Sequence, residues 1–218
     1  MRTIVYIDGF NLFYGILKGS PYKWLDLKIL SEKLLPRDAE IIGINYYTAM
    51  VKGSPKKLEK QEAYIRALKS YIPVFKCILG RNQVMPKLLP KAIEAGNDAR
   101  GRPKYKRGAP VLVLKTEEKK SDVNLAVDIV NDTWLNKFDC VLLISNDSDL
   151  APPLLIARNK GKRIGIATTS PRPAGNLKNI ADFHRHITVS IVKSSQLPNK
   201  IVIPKSDPQR YYRKPKGW

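Results

Sequence analysis

The chain has 218 residues, 43% of them hydrophobic, which is enough for one large domain or for one domain with appendages. Its 39 Lys and Arg against 19 Asp and Glu give a net charge of +20, which favours a nucleic-acid partner over a membrane because no basic amphipathic helix stands out. No apolar stretch approaches the roughly 18 residues of a membrane span, and the two cysteines form no Cys-x-x-Cys pair, so we expect a cytoplasmic protein without signal peptide, membrane segment or disulfide.

The first predicted element is a strand, Thr3 to Ile7, rich in β-branched residues. It ends in Asp8-Gly9-Phe10-Asn11, where Gly9 permits a tight turn and Asn11 is a candidate cap for a helix that follows. A central strand that ends in Asp is common in hydrolases and phosphotransferases, although one instance is a weak signal.

The next segments alternate between helix and strand. Asp26 is a natural cap for a helix that Pro36 stops, residues 41–50 form a strand, Pro55 opens a long helix, and residues 73–80 form a third strand. This alternation is typical of an α/β fold.

Residues 81–109 interrupt the alternation with three prolines and three glycines, and we expect a mobile insertion without a long regular element. The insertion is either a solvated loop or an arm that grips nucleic-acid phosphates while Tyr105 stacks on a base. A short strand, residues 110–115, then leads back, and three lysines near it are candidates to neutralise the scissile phosphate. The candidate nucleic-acid-binding residues are Arg100, Arg102, Lys104, Tyr105, Lys106, Arg107, Lys115, Lys119 and Lys120.

A helix is predicted to start near Ser121, with Val123, Ala126, Val127 and Val130 on its inner face. Ser121 or Asp122 is its expected cap. Capping alone explains Asp122; the functional alternative places it at the helix mouth beside other acids.

A buried strand, Cys140 to Ile144, ends in Ser145-Asn146-Asp147-Ser148-Asp149, and a helix follows with Leu150, Leu154, Leu155 and Ala157 near helical spacing. Ligands of open α/β sheets bind outside the carboxyl ends of the strands. Asp147 and Asp149 therefore are candidates for one cleft together with Asp8, or one of them caps the helix.

The remaining predicted elements are a strand at residues 163–167, a short helix at 177–183 and a last strand at 186–192. The hydroxyls of residues 168–170 are placed at the same rim. His184 and His186 show no catalytic spacing to the acids, and packing or surface roles are expected.

Three motifs together, residues 7–11, 120–124 and 145–150, resemble those of the NYN domain, in particular its LabA-like branch within the PIN-like nuclease superfamily. The resemblance covers about residues 2 to 190. It implies a PIN-like or Rossmann-like three-layer sandwich, with a central mainly parallel sheet and helices on both faces. It also implies a metal-dependent ribonuclease with Asp8, Asp122, Asp147 and Asp149 as the acids and Asn11 as a polar helper.

From this we expect a domain at residues 1–192, with the basic insertion at about 81–109, and a basic, proline-containing tail at 193–218. The tail is expected to be extended, with residues 201–203 as its part able to pack against the domain.

Four carboxylates in one cleft repel each other by about 4 kcal/mol per pair at 4 Å and an effective dielectric of 20. Unless some are protonated, a cation must join them, and hard oxygen ligands without a His/Cys set favour Mg²⁺ or Mn²⁺. We expect Asp8, Asp122 and Asp147 as ligands, Asp149 as a ligand or water-orienting group, and single-stranded RNA as the substrate. The alternatives are an RNA-binding module without catalysis and a metal-dependent phosphatase of a small substrate.

Overall fold

The computed structural model describes residues 1–173, 175–203 and 209–218. In chain order the strands are β1 Arg2–Asp8, β2 Glu40–Thr48, β3 Phe75–Leu79, β4 Arg81–Asn97, β5 Pro103–Lys119, β6 Cys140–Ile144, β7 Arg163–Thr168, β8 Phe183–His186, β9 Lys200–Val202 and β10 Tyr211–Arg213. The α-helices are α1 Gly9–Leu12, α2 Leu27–Leu34, α3 Pro55–Tyr71, α4 Ser121–Trp134, α5 Ala151–Asn159, α6 Leu177–Ile180 and α7 Val189–Lys193. A π-helix, Phe13–Leu17, directly follows α1, and a 3₁₀ turn, Ser148–Leu150, precedes α5.

Six strands form one sheet in the order β3-β2-β1-β6-β7-β8, and every neighbouring pair is parallel. The central strand β1 places Tyr6 opposite Asn45 of β2 and Leu143 of β6. Sheets of this kind are covered on both faces, which explains why the central strands are almost wholly apolar.

Alternate residues of each central strand face two separate cores. Val5 and Ile7 of β1 pack with α1, α2, α3 and α7 on one side, which we call the α2 face. Ile4 and Tyr6 pack with α4, α5 and α6 on the other, which we call the α4 face. The predicted three-layer α/β fold is confirmed.

Two buried polar contacts fix α4 on its face of the sheet. The hydroxyl of Tyr6 donates to Oδ2 of Asp132 at 2.8 Å, and the hydroxyl of Tyr47 donates to Oδ2 of Asp128 at 2.7 Å. Burial raises the pKa of both tyrosines, so both stay protonated donors. Tyr47 lies opposite Asp8, nearer the carboxyl ends of the strands than Tyr6. The helix therefore runs against the strands, and its first turn lies at their carboxyl edge.

The cap of α4 and its inner face differ from the prediction. The capping position is Lys120, in the left-handed conformation with φ of 81°, and Ser121 is the first helical residue. Leu125 and Ile129 are fully buried, whereas Val123 is 65% exposed. The larger leucine and isoleucine, together with the tyrosine contacts, set the phase of the helix and turn the small valines outward.

Residues Asn82–Lys119 form a separate unit built on the β4–β5 hairpin. The expectation of an irregular insertion was wrong, since each strand is 17 residues long. Prolines are tolerated here because both strands of a two-stranded sheet are edges, where a missing N–H can face solvent. Asp98 organises the turn, because its Oδ1 accepts the backbone N–H groups of Arg100 and Arg102.

The C-terminal segment is partly regular. Residues 189–193 form α7 where a strand end was predicted, and β9 pairs with β10. Ile201 is buried, as expected for a packed tail, and the Trp218 ring lies 5.7 Å from that of Tyr64 in α3. Pro204 and Pro208 of the proline-containing tail lie outside the described residues.

Both cysteines are free thiols, with Cys140 buried and Cys77 half-buried. Burial raises the pKa of each thiol to about 11. Among residues 1–173, 175–203 and 209–218, no helix combines the length and the hydropathy needed to cross a membrane.

Candidate active site

The chain connections create a crevice between β1 and β6. After β1 the chain continues along the α2 face toward β2, whereas after β6 it continues through α5 on the α4 face toward β7. Ligands of open α/β sheets bind at such a switch point, outside the carboxyl ends of the strands. Asp8 is the last residue of β1, and Asp147 follows the end of β6.

Asp8 is a buried carboxylate held by two donors. Its Oδ1 accepts the backbone N–H of Asn11 at 2.9 Å, and its Oδ2 accepts the hydroxyl of Ser145 at 3.0 Å. It is therefore Asp8, and not Asn11, that caps the first helix, because the short side chain at the strand end reaches the orphan N–H groups. Burial raises the pKa of Asp8, the nearby charge of Asp147 adds to this, and the hydrogen bonds oppose it.

Ser145 and Asn11 join the ends of β1 and β6. The Ser145 oxygen also accepts the backbone N–H of Asp147 at 3.1 Å, and Oδ1 of Asn11 accepts the N–H of Asn146 at 3.1 Å. Asp147 in turn accepts the N–H of Asp149 at 2.9 Å, so it caps the 3₁₀ turn, as the capping alternative expected. One such bond leaves most of the acceptor capacity of a carboxylate available.

The two remaining acids are exposed at the same edge of the sheet. Asp149 lies in the 3₁₀ turn that Asp147 caps, and Asp122 lies in the first turn of α4. The structure thus brings Asp8, Asn11, Asp147 and Asp149 into one hydrogen-bonded network. The direction of α4 brings Asp122 to that edge.

The donors fit a hard divalent cation in chemical kind. They are carboxylate and amide oxygens, and Asp8 is a buried carboxylate close to a second acid, an arrangement that a cation stabilises. Across the described parts of the chain, no three His, Cys, Asp or Glu side chains are already grouped closely enough to hold a metal.

The predicted RNA-binding lysines of the hairpin are ion-paired within it. Glu117 lies 2.8 Å from Lys115, 3.0 Å from Lys119 and 3.1 Å from Lys87. These ammonium groups, Lys115 first, hold the pKa of Glu117 well below its usual range. Their role toward RNA stays a prediction.

The tip of the hairpin presents its other cations to solvent. Arg102 pairs with Asp98 at 2.7 Å and so stabilises the turn. Tyr105 is 62% exposed, and exposed basic residues surround it. The remaining exposed members of the predicted set are Arg100, Lys104, Lys106 and Arg107.

At the end of β7, Thr168 serves packing. Its hydroxyl lies 2.7 Å from Nε2 of His184 and contacts the carbonyl oxygen of Ser170. Burial lowers the pKa of His184, which favours the neutral ring. The packing role expected for this histidine agrees with that contact.

Sequence reasoning assigned no role to Ser145, which links the two acids. Its position directly after a fully buried strand and before two acids was the available signal. A hydroxyl at the end of a strand is common, and only the neighbouring strand shows which group it contacts.

Comparisons with known proteins place these features in a family. The model of the NYN domain matches residues 2–190. A 6-hydroxy-3-succinoylpyridine 3-monooxygenase, HspA of Pseudomonas putida, is 32% identical over 243 aligned positions, which cover 100% of this chain and 75% of that protein. A crystal structure of a protein of unknown function from Vibrio parahaemolyticus superposes with a TM-score of 0.52 at 16% identity, covering 86% of this chain and 93% of that one. The latter is a likeness of fold alone.

Proposed function

This chain belongs to the NYN domain family, and from that membership and its site we propose that it is a metal-dependent ribonuclease of the LabA-like branch, acting on single-stranded RNA in the cytoplasm. The observation that carries the proposal is the link from the buried Asp8 through the Ser145 hydroxyl to the Asp147 backbone. A buried acid held at a switch point beside a second acid is the arrangement expected of a functional site rather than of a structural one.

Mg²⁺ or Mn²⁺ would be held by Asp8, Asp122 and Asp147, whose oxygens are the ligands such ions prefer. When bound, the ion supplies charge neutralisation and Lewis-acid chemistry at the phosphodiester. Asp149, which is exposed, is either a further ligand or the group that orients the attacking water.

The other side chains of the site keep these acids in place. Asn11 holds the turn after β6 through the N–H of Asn146, and Ser145 holds the Asp8 carboxylate. Catalytic groups that are fixed in this way lose little freedom when substrate binds, which favours reaction.

The charge of the chain supports a polyanionic substrate. The net charge is +20 and the chain has few acids. Negative side chains repel phosphate, so a protein that only binds RNA has no use for an acidic edge of the sheet. This weighs against the RNA-binding module without catalysis. The basic hairpin tip, Arg100 to Arg107, weighs against a phosphatase of a small substrate and is proposed to grip the RNA backbone.

The test is degradation of an end-labelled, unstructured RNA by the purified chain. We expect cleavage with Mg²⁺ or Mn²⁺, none with EDTA, and none by Asp147→Asn at saturating metal. Asp38→Asn is the matched control, since Asp38 is an exposed acid in the turn that leads into the amino end of β2. Cleavage by Asp147→Asn at the wild-type rate contradicts the proposal, and tight RNA binding without cleavage supports the binding module.

A second candidate function comes from the relative of 32% identity, which is named a monooxygenase of 6-hydroxy-3-succinoylpyridine. The aligned region covers this whole chain and so spans the carboxyl edge of the sheet. An activity of that kind needs O₂ and a two-electron reductant. Consumption of that pyridine with matching oxygen uptake, together with intact RNA in the nuclease assay, would favour this candidate.

A further inference from the structure

An aromatic pair, Phe10 and Tyr14, lies at the surface beside the carboxylates. Phe10 is in α1 and Tyr14 is one turn later in the π-helix Phe13–Leu17. Their rings are nearly parallel, with an angle of 10° between the planes and 6.3 Å between centroids. Tyr14 is 61% exposed, so one turn of helix presents an aromatic surface to solvent.

The Tyr14 ring is held in place before any ligand binds. Phe13, which packs on the core of the α2 face, meets it edge-on with centroids 5.3 Å apart. The ammonium group of Lys18 lies 4.9 Å from its centroid. A cation over an exposed ring is a favourable contact, and it puts a positive charge beside the aromatic pair.

The backbone of this segment is anchored to the site. The N–H group of Asn11 donates to the Asp8 carboxylate at 2.9 Å. Gly15 packs against the Thr169 side chain so closely that no Cβ fits there. Single turns of π-helix occur frequently at functional sites. Phe10 and Tyr14 thus lie two and six residues after Asp8, on a segment that is fixed at Asp8 and at Gly15.

We propose that Phe10 and Tyr14 form a base-stacking platform that binds one unpaired base of single-stranded RNA and so places the adjoining phosphate at Asp8 and Asp147. The inference rests on the proposed ribonuclease function and adds to it a binding site for one base of the substrate. Every base has a π-face, so the platform accepts any unpaired base, whereas bases within a duplex are not available for stacking. The net charge of +20 and the Lys18 ammonium favour RNA over a protein partner.

The test measures binding without cleavage. A single-stranded oligoribonucleotide with 2-aminopurine at one position is titrated with protein in EDTA, and its fluorescence reports stacking. We expect Tyr14→Leu to weaken binding roughly tenfold and to abolish the fluorescence change, as loss of one stacked base predicts. Tyr14→Phe keeps the ring and is expected to keep both. The matched control is Tyr71→Leu, an exposed tyrosine at the end of α3.

Three results would overturn the platform, and they can be distinguished. If the wild type and Tyr14→Leu bind the oligonucleotide equally while metal-dependent cleavage persists, the platform is wrong and the ribonuclease proposal stands. If the wild type neither binds nor cleaves RNA, both proposals fail. Equal affinity for duplex and single strand also contradicts the platform.

Discussion

The hydroxyl of Ser145 donates a 3.0 Å hydrogen bond to Oδ2 of Asp8, although the two residues are 137 positions apart in the chain. A buried carboxylate requires such donors, because an unpaired buried charge is costly. The same oxygen accepts the N–H of Asp147. One small side chain therefore determines the spacing of two acids on neighbouring strands.

Replacing Ser145 by Ala is expected to lower the free energy of unfolding by about 1–3 kcal/mol, the cost of a buried acceptor that loses its donor. Urea denaturation checks this value, and RNA cleavage should fall because the backbone N–H of Asp147 loses its side-chain acceptor. Ser148→Ala is the control, since Ser148 is exposed in the next turn. Equal free energies of unfolding for the two variants would show that the Ser145 hydroxyl does not contribute this stability.

The pKa of Asp8, raised by burial above its ordinary 3.8, predicts a pH dependence of stability. The folded chain binds this proton more tightly than the unfolded chain, so the stability it contributes is present below 3.8 and is lost as pH rises through the folded pKa. Asparagine does not titrate, so the free energy of unfolding of Asp8→Asn should not fall in this way as pH rises. At neutral pH without metal, this variant should be as stable as the wild type or more stable.

Denaturation midpoints of the wild type, Asp8→Asn and the control Asp38→Asn, taken from below 3.8 to neutral pH, test this. A wild type that gains stability relative to Asp8→Asn over that window contradicts burial as the dominant cause. Cleavage should be absent in Asp8→Asn at every pH.

The parallel sheet and the strand-end acids could be predicted from the sequence because both depend on local pattern. A buried strand followed by Asp and turn formers specifies where Asp8 and Asp147 stand along their own segments. Which strands become neighbours depends on contacts distant in sequence, and the Ser145 bond to Asp8 is one of them. No local signal contains that information.

The hairpin and the phase of α4 show two other limits. Prolines argue against a strand only where that strand is paired with a neighbour on each side. No pattern in residues 81–119 predicts a two-stranded ribbon. In α4, Val123 and Leu125 compete for the inner position, and the buried tyrosine hydroxyls decide in favour of Leu125. The capping residue is Lys120, which has a left-handed backbone conformation.

Glu117→Gln should raise RNA affinity. It releases Lys87, Lys115 and Lys119 from their shared partner. The slope of log K against log salt should steepen by about 0.7 for each further phosphate that is neutralised. Glu94→Gln is the matched control, because it removes the same charge from an exposed position of the hairpin. Equal effects of the two changes would mean that net charge alone matters.

Changing Arg100, Lys104, Lys106 and Arg107 together to Ser should weaken RNA binding and flatten the salt slope, while cleavage of bound RNA changes little. Arg102 is left in place because it pairs with Asp98 in the turn. Binding titrations at several salt concentrations measure both quantities. An unchanged slope would leave the hairpin tip a solvated loop and direct attention to the tail after Lys193.

Gly165→Ala should destabilise the fold by about 1–3 kcal/mol, because the Phe183 ring of the neighbouring strand occupies the place of the new methyl group. Gly43→Ala is the control in another strand, where a Cβ would lie 3.5 Å from Ile4 and is accommodated. Thermal unfolding distinguishes the two. Phe183→Leu should recover part of the loss if the clash is its cause.

Two tyrosine hydroxyls, of Tyr6 and Tyr47, hold Asp132 and Asp128 of α4. A helix held by one such contact can rotate about it or shift along its axis. A helix held at two positions along its axis can do neither without breaking both contacts. The position of Asp122, in the first turn of that helix, therefore depends on these two contacts. Each Tyr–Asp couple is therefore expected to be replaced in homologues as a unit. A substitution of Asp132 is expected to displace the Asp122 carboxylate at the opposite end of α4.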